Sequence, residues 1–331
     1  MTSTGDRLSL TGPAGLAEAG ETCARIAAAV QRVILGKADV VRLALVTLLA
    51  EGHLLVEDVP GVGKTSLAKA LARAIDCSVS RVQFTPDLLP GDITGMSIFN
   101  RQTAEFEFWP GPLFANLVIA DEINRASPKT QSALLECMAE HQVTVDGTTY
   151  QLASPFLVIA TQNPVEMDGT YPLPEAQRDR FTARISVGYP DPAAELAMID
   201  EHAAGDPLAG LQPVTDAGRV RAAIAVARGA LVAPDVRRYC VELVGATRRH
   251  PELRLGASPR ATLQLIRAAR AQAVLAGRGH VVPDDVLAVA EPVLAHRLLL
   301  APEAAAARRS ASDVVRGVLG RLPVPGPPRP L

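Results

Sequence analysis

Residues 58–65 read DVPGVGKT, directly after the apolar run HLLVE of His53–Glu57 and directly before a helical segment that runs to Ala74. A loop between a strand and a helix N-terminus can wrap its backbone N–H groups around a phosphate. Within such a loop, a lysine neutralises phosphate oxygens and a Thr or Ser hydroxyl ligates Mg²⁺. This context predicts a phosphate-binding loop, with Thr65 as a metal ligand. The residues expected to contact a nucleotide are Pro60, Gly61, Val62, Gly63, Lys64, Thr65 and Ser66.

The loop departs from the pattern G-x-x-x-x-G-K-[ST] at its first position, where this chain has Asp58. That position is the least demanding one, because Gly61 through Thr65 build the phosphate cradle. The alternative interpretation is a glycine-rich strand–helix turn that happens to hold a lysine. Only four of the 33 basic residues are lysines, so Lys64 stands out in a chain that otherwise uses arginine. The phosphate-binding interpretation is favoured.

Two acidic residues, Asp121 and Glu122, follow the apolar strand LVIA of Leu117–Ala120. The carboxyl ends of parallel strands meet at one edge of a sheet, so Asp121 is expected to hold Mg²⁺ there through water. Glu122 is expected to polarise the attacking water as a general base. An acidic pair after a strand is by itself a common surface turn, but after a phosphate-binding loop in the same domain it becomes a strong signal.

Three further polar residues are candidates because of where they stand in the chain. Asn163 follows the apolar run of Phe156–Thr161, and it is expected to contact the terminal phosphate or to orient the water; an ordinary Asn-Pro turn is the alternative. Arg180 stands just before the last predicted strand. Arg260 follows Ser258 as N-cap and a proline at the first helical position, which places it in the first turn of a helix.

The composition excludes several classes of protein. With 48% hydrophobic and 21% charged residues the chain is neither disordered nor collagen-like, and its net charge of −2 gives no basic field for nucleic acid. Its four widely spaced cysteines form no CxxC pair, so reduced thiols and a cytoplasmic location are expected. No apolar run approaches the ~20 residues that span a bilayer, and the N-terminus lacks the features of a signal peptide.

The chain has 331 residues, enough for two domains. Short apolar runs alternate with helical segments in the first half, which predicts an α/β fold with a parallel sheet core and helices on both faces. After about Asp191 only helical periodicity continues, which predicts an all-helical lid. Its last predicted helix ends at Leu300, and Pro292 is expected to kink or split that helix. We expect a flexible tail over 1–20, the α/β core over 21–190, the lid over 191–302, and a C-terminal helix and Pro-rich tail over 303–331. The predicted strands are His53–Glu57, Leu117–Ala120, Phe156–Thr161 and Ala183–Val187.

Together these residues resemble the MoxR branch of the AAA+ ATPases, over nearly the full length of the chain. The most specific stretches are QFTPDLLPGDITG (83–95), FEFWPGPLFANLVIADEINRASPKTQSALLECMAEHQVTVDG (106–147), FLVIATQNP (156–164) and GTYPLPEAQRDRF (169–181). The resemblance implies a P-loop NTPase core of the AAA+ type, with ATP and Mg²⁺ as cofactors. It also implies a homo-oligomeric ring, expected to be a hexamer.

The same resemblance assigns roles to single residues. It implies that Asn163 is sensor 1, that Arg260 is sensor 2, and that Arg180 is an arginine finger which reaches the nucleotide of a neighbouring subunit. Arg178 stands where the family usually has leucine, so it is a second candidate for the finger. Lys37 stands where the family usually has glutamine, so its role at the adenine side stays open.

Two predicted hairpins interrupt the α/β pattern. Ser97–Phe99 and Glu105–Phe108 resemble the helix-2 insert of this AAA+ clade, and Gln142–Val145 with Thr148–Gln151 forms a second hairpin around an Asp-Gly turn. The resemblance implies that both project toward a central pore; ordinary surface hairpins are the alternative. Their exposed chemistry is expected to be aromatic and polar, from Phe99, Phe106, Phe108 and Tyr150. For any single ring, packing of the hairpin onto the domain is the alternative.

Three functions compete at this level. The favoured one is an ATPase that remodels or assembles a protein client, with a chaperone-like role and a partner that carries a von Willebrand factor A domain, as the resemblance implies. The second is a nucleic-acid motor or loader, which the poverty of basic residues in the hairpins disfavours. The third is a nucleotide-binding scaffold without turnover, which the intact set of catalytic candidates disfavours.

Overall fold

A computed structural model of the chain describes residues 12–59, 61–163 and 170–326. The strands are β1 (Leu54–Glu57), β2 (Val79–Gln83), β3 (Gly95–Asn100), β4 (Glu105–Pro110), β5 (Leu117–Asp121), β6 (Gln142–Val145), β7 (Thr148–Gln151), β8 (Leu157–Gln162), β9 (Ala183–Ile185), β10 (Leu253–Leu255) and β11 (Leu299–Leu300). The helices are α1 (Pro13–Gln31), α2 (Ala38–Leu49), α3 (Lys64–Ile75), α4 (Pro90–Thr94), α5 (Pro128–Glu140), α6 (Glu175–Arg178), α7 (Pro192–Ala204), α8 (Ala217–Gly229), α9 (Pro234–Arg248), α10 (Pro259–Leu275), α11 (Pro283–Leu294), α12 (Pro302–Ala306) and α13 (Ala311–Arg321).

Five parallel strands form the central sheet, in the order β2-β5-β8-β1-β9. We call the side where β1, β5 and β8 end, at Glu57, Asp121 and Gln162, the carboxyl edge of the sheet. The opposite side, where β1 and β9 begin at Leu54 and Ala183, is the amino edge. Open parallel sheets bind ligands outside the carboxyl ends of their strands. The fold therefore gathers the loop after β1 and the polar residues after β5 and β8 at one edge.

The four predicted strands are confirmed, and a fifth was missed. β5 is buried along its whole length, and β8 along all but its last residue, as expected for strands covered on both faces. β2 lies at the border of the sheet and buries only Val82 of its five residues. An edge strand with so many polar side chains does not form an apolar run, which explains why the sequence pattern does not reveal it.

One continuous apolar core joins the two halves of the molecule. It includes residues of α1, α2 and α3 from the α/β part and of α8, α9, α10 and α11 from the lid. A second, smaller core lies on the other side of the sheet, beneath α5 and the hairpins. Among residues 12–59, 61–163 and 170–326, no helix combines the length and apolar character needed to cross a membrane.

Two expectations about the domains need correction. Residues 13–20 belong to α1 and are not a flexible tail, because this helix buries Ala19 and Cys23 and packs on α8. Residues 1–11 and the last five residues of the Pro-rich tail lie outside the described residues. The lid is not entirely helical, since β10 pairs with β11 in an antiparallel bridge. The helix that was expected to run to Leu300 ends at Leu294, two residues past Pro292, and a 3₁₀ turn follows over Ala295–Arg297.

Both predicted hairpins are confirmed as hairpins. β3 pairs with β4 and β6 pairs with β7, the latter around Asp146 and Gly147 with positive φ angles. Two of the four aromatic rings follow the packing alternative rather than the exposed one. Phe108 stacks on Tyr150 with 4.0 Å between ring centroids, so these two rings pack the hairpins against each other. Phe106, which is 73% exposed, stays open to solvent.

Candidate active site

The phosphate-binding loop turns directly from β1 into the first residue of α3. Gly61 and Gly63 have φ angles of +85° and +89°, in the left-handed region that glycine tolerates best. Gly63 is the last residue before α3, so the unpaired N–H groups of the first helical turn stand at this loop. Such an arrangement favours an anion. Pro60, which the sequence also assigns to the loop, lies outside the described residues.

A cavity of about 740 Å³ opens at the loop, within the size range of small-ligand sites. Gly61, Val62, Gly63 and Ser66 line one side, and Ile34, Leu35, Val187 and Met198 are among the apolar residues of the other side. A side chain at position 61 would meet no protein atom within 4 Å. The open phosphate end and the apolar walls fit a nucleotide. Lys37 also lines the cavity, and its Nζ donates to the Tyr189 carbonyl at 2.7 Å.

Lys64 is the charged residue of the loop. Its Nζ donates to the backbone oxygen of Asp58 at 2.7 Å. Burial lowers the pKa of Lys64, while the carboxylates of Asp58, Asp121 and Glu122 act in the opposite direction. The ammonium group therefore stands within electrostatic reach of the acidic residues that the sequence places at the carboxyl edge.

Asp58, the departure from the usual loop pattern, has a structural role. Its Oδ2 accepts hydrogen bonds from the Gly188 N–H at 2.6 Å and from the Ser186 hydroxyl at 2.8 Å, and its Oδ1 accepts from the Val59 N–H at 2.9 Å. Burial would raise the pKa of Asp58, but these hydrogen bonds outweigh burial and lower it. The carboxylate thus fastens the start of the loop to the segment that follows β9, a contact which glycine could not make.

Asp121 and Thr65 are brought together as predicted. The Thr65 hydroxyl lies 3.4 Å from each oxygen of the buried Asp121 carboxylate. Adjacent ligands of an octahedral Mg²⁺ lie about 3 Å apart, since each is about 2.1 Å from the ion. A hydroxyl and a carboxylate at this separation suit a magnesium ion that also binds nucleotide phosphates. Arg81 Nε donates to Asp121 Oδ2 at 2.7 Å and partly neutralises this carboxylate.

Glu122 has left-handed backbone angles, φ 56° and ψ 50°, which are uncommon for residues other than glycine. Its N–H donates to the Thr161 hydroxyl at 3.0 Å, and that hydroxyl donates to Asp121 Oδ1 at 3.2 Å. The Glu122 carboxylate accepts from Gln83 Nε2 at 2.8 Å and from Arg125 Nε at 3.0 Å. The backbone turn and these contacts direct the two neighbouring acids to different partners.

Asn163 is buried and directly follows β8, next to the strand that ends at Asp121. It lies at the carboxyl edge, and its contact with the terminal phosphate stays a prediction. The sequence did not single out Arg81 and Gln83, which both lie on β2 and contact the two acids. A usable signal was present, since Gln83 opens the specific stretch QFTPDLLPGDITG, and residues two apart on a strand share a face.

Arg180 and Arg260 lie at the amino edge, away from the phosphate-binding loop. Arg180 follows α6, and Arg260 stands in the first turn of α10, where Ser258 caps the helix as predicted. Both line a cavity of about 180 Å³ together with His53, which precedes β1. Of Arg178 and Arg180, Arg180 is the one that lines this cavity. The two ends of β1, Leu54 and Glu57, are separated by about 10 Å, because three steps of about 3.3 Å lie between them.

Comparison with known proteins identifies the family. Residues 53–183 match the ATPase family associated with various cellular activities (AAA), and residues 245–318 match the AAA lid domain. Chaperone MoxR1 of Mycobacterium tuberculosis is 43% identical over 323 residues, which cover 95% of this chain and 85% of that protein. The chain belongs to the MoxR family of AAA+ ATPases. YeaC, an uncharacterized protein from Bacillus subtilis, is 49% identical over 89% of this chain and 92% of its own length.

A solved structure from Cytophaga hutchinsonii, assigned as a candidate ATPase, supports the same conclusion. Its TM-score is 0.87 at 37% identity, and the match covers 94% of this MoxR chain and 97% of the other. The predicted fold class, nucleotide binding and ATP hydrolysis to ADP and phosphate are thereby confirmed. The roles of the individual residues stay predictions, and they are taken up below as proposals.

Proposed function

We propose that this MoxR family ATPase hydrolyses ATP with Mg²⁺ at the interfaces of a homo-oligomeric ring of six subunits and thereby remodels or assembles a protein client. One observation carries the proposal. The phosphate-binding loop lies at the carboxyl edge, whereas Arg180 and Arg260 lie at the amino edge. Each chain thus has a nucleotide site at one edge and two arginines at the other.

The separation of the two edges is longer than an arginine side chain. β1 alone accounts for about 10 Å, so Arg180 at the amino edge cannot reach a nucleotide bound by Lys64 of its own chain. A head-to-tail arrangement of identical subunits can close into a ring. In such a ring the amino edge of one subunit meets the carboxyl edge of the next. Arg180 then stabilises the charge that develops on a transferred phosphoryl group, with Arg260 beside it.

The residues at the carboxyl edge divide the remaining work. Lys64 and the backbone of the loop bind the β- and γ-phosphates, while Thr65 and Asp121 hold the metal ion. Bound Mg²⁺ supplies positive charge against the phosphate oxygens. Glu122 orients the attacking water and accepts its proton, with Gln83 and Arg125 fixing the direction of its carboxylate. Asn163 contacts the terminal phosphate. These roles rest on the placement of the side chains described above.

The first hairpin supports a protein client rather than a nucleic acid. Phe99, Phe106 and Trp109 are exposed on it, and its one basic residue, Arg101, stands against two acids. A phosphate backbone would require several Lys or Arg. The name of Chaperone MoxR1 supports a chaperone-like role, and family resemblance supports a partner with a von Willebrand factor A domain. All four cysteines are free thiols, which supports a cytoplasmic location.

The test is a subunit-mixing experiment with two inactive variants. Lys64→Ala removes the phosphate-binding cation, and Arg180→Ala removes the arginine at the other edge. Each variant alone should hydrolyse ATP poorly, and the mixture should regain part of the activity, because the two lesions then fall on different sites. A mixture of Lys64→Ala with Glu122→Gln should regain none, since both lesions lie at the carboxyl edge. No recovery for the first pair at any ratio, despite co-assembly in gel filtration, would contradict the proposal.

A further inference from the structure

Arg297 follows α11 in the lid and exposes only 2% of its side chain. Its Nε donates to Asp179 Oδ1 at 2.9 Å. The Nη groups donate to the backbone oxygens of Asp179, Phe181 and Thr182. A buried charge is costly unless it is paired and hydrogen-bonded. This guanidinium is both, and its partners are the residues on either side of Arg180.

The same guanidinium also contacts two lid helices. It donates to Gln264 Oε1 on α10 and to the Val293 carbonyl on α11. Gln264 lies four residues after Arg260, so the two side chains share a face of α10. Gln264, Arg260 and Arg180 line one cavity. Arg297 therefore joins the segment of Arg180 to the helix of Arg260.

Asp179 makes the second connection between these elements. Its Oδ1 and Oδ2 accept the Ser258 hydroxyl at 3.0 Å and 2.9 Å. Ser258 is the N-cap of α10 and stands two residues before Arg260, while Asp179 directly precedes Arg180. One carboxylate thus contacts the start of the lid helix and the buried guanidinium at the same time.

Arg297 keeps its positive charge at neutral pH. Burial lowers its pKa to about 10, the Asp179 carboxylate opposes that shift, and the charge of Arg260 adds to it. The ion pair with Asp179 compensates for the burial of this guanidinium.

We infer that Arg297 is a positioning residue for ATP hydrolysis: through Asp179 and Ser258 it holds Arg180 and Arg260 at a fixed spacing, so that both reach the neighbouring subunit's nucleotide together. The inference rests on the proposed function, in which the two arginines act across an interface. A displacement of about 1 Å in a catalytic group can cost about 100-fold in rate. The network therefore sets the rate without touching the nucleotide.

The test uses Asp179→Asn, which keeps the shape of the side chain and removes its charge. We expect kcat to fall at least about tenfold with KM for ATP within about twofold of wild type, because the phosphate-binding loop is untouched. Mixing with Lys64→Ala should restore part of the activity, since the Lys64→Ala subunit supplies a correctly placed Arg180. A merely destabilised subunit would not be rescued in this way.

Ser258→Gly applies the same test with a smaller perturbation. Glycine is nearly as good an N-cap as serine, so the substitution mainly removes the hydroxyl contact to Asp179. We expect a fall in kcat of about two- to fivefold, again rescued by Lys64→Ala. Asp285→Asn is the matched control. It removes the charge of a buried lid carboxylate, Asp285, which contacts Arg278 at 2.7 Å, and it should leave kcat near that of wild type.

The outcomes separate the two ideas. Wild-type turnover in both Asp179→Asn and Ser258→Gly would overturn the inference, and so would a defect that Lys64→Ala does not rescue while it does rescue Arg180→Ala. Failure to rescue Arg180→Ala would overturn the proposed function, and this inference with it. Both ideas would be supported if Lys64→Ala restores activity to Arg180→Ala, Asp179→Asn and Ser258→Gly, while Asp285→Asn keeps a kcat near that of wild type by itself.

Discussion

The two edges of the central sheet use charge in opposite ways. At the carboxyl edge, Asp121 and Glu122 lie near Lys64, beside an open cavity of about 740 Å³. At the amino edge, Arg180 and Arg260 line a cavity of about 180 Å³. At the first edge a cation and two acids lie beside open space. At the second, the arginines share their cavity with Glu51, whose carboxylate is already paired with Arg228.

If the proposed function holds, the smallest unit that hydrolyses ATP is a pair of edges from two chains. Lys64 and the loop backbone would accept the negative charges of the nucleotide at the carboxyl edge. The arginines at the amino edge of the neighbouring chain would complement the same charges from outside. The predictions below test whether the two edges contribute to one reaction.

The largest effect is expected at the amino edge. Arg180→Ala should lower kcat by about 10³-fold, the lower end of what an arginine supplied in trans contributes in other phosphoryl-transfer systems. ATP binding by the carboxyl edge should be unchanged in fluorescence titrations with a labelled nucleotide. Arg316→Ala, at an exposed arginine of α13, serves as the control and should hydrolyse ATP like wild type. A loss of nucleotide affinity equal to the loss of rate would show that Arg180 serves its own site.

A smaller effect is expected from the acid at the carboxyl edge. Glu122→Gln should lower kcat by about 10²-fold, the scale of a lost general base, and should retain ATP binding. Lys64→Ala should weaken nucleotide binding itself. Steady-state ATPase assays and nucleotide titrations distinguish the two. Hydrolysis by Glu122→Gln at the wild-type rate would refute the assignment of the base.

The protein is also expected to become less stable in acid, because two histidines at the amino edge are buried. Burial lowers the pKa of His53 to about 3, and burial lowers the pKa of His296 well below 6.5. Both rings are neutral when folded, so below pH 6.5 the unfolded chain binds protons that the folded chain does not. The free energy of unfolding should fall by about 2 kcal/mol per histidine between pH 7.5 and pH 5.0. Urea unfolding at several pH values measures this.

Single substitutions separate the histidines from the carboxylates in that experiment. His53→Gln should remove about half of the pH dependence, because it removes one of the two buried titratable rings. Glutamine can still accept from the Val158 N–H and donate to the Met138 carbonyl, as His53 does. His280→Gln, at an exposed position, should leave the slope unchanged. An unaltered slope in His53→Gln would show that this ring is not a source of the acid sensitivity.

The smallest effect is expected from DNA. A third region, the two hairpins, is too poor in Lys and Arg to follow a phosphate backbone. Single- or double-stranded DNA should neither stimulate the ATPase nor bind below about 10 μM at physiological salt, within or weaker than the non-specific range. ATPase assays and fluorescence anisotropy at two salt concentrations measure both. Tight, salt-sensitive binding with stimulation would overturn the protein-client proposal.

The carboxyl edge was predictable because its residues follow local patterns. DVPGVGKT stands between a strand and a helix, and Asp121 ends an apolar run. The contacts of Arg81 and Gln83 were not predictable, because their strand, β2, lies at the border of the sheet and is polar. Arg297 was missed for a different reason. It contacts Asp179 across 118 positions of the chain, and nothing in the neighbouring sequence marks one arginine among so many.

The apolar core that the α/β part shares with the lid has a mechanical consequence. Closely packed side chains cannot slide past one another without opening voids, which cost free energy. With α1 packed on α8 and α2 packed on α10, the lid is expected to turn with the α/β part as a single stiff lever. Each cycle of ATP hydrolysis would then rotate whole subunits relative to each other. A cross-link between α1 and α8 would therefore not inhibit ATP hydrolysis.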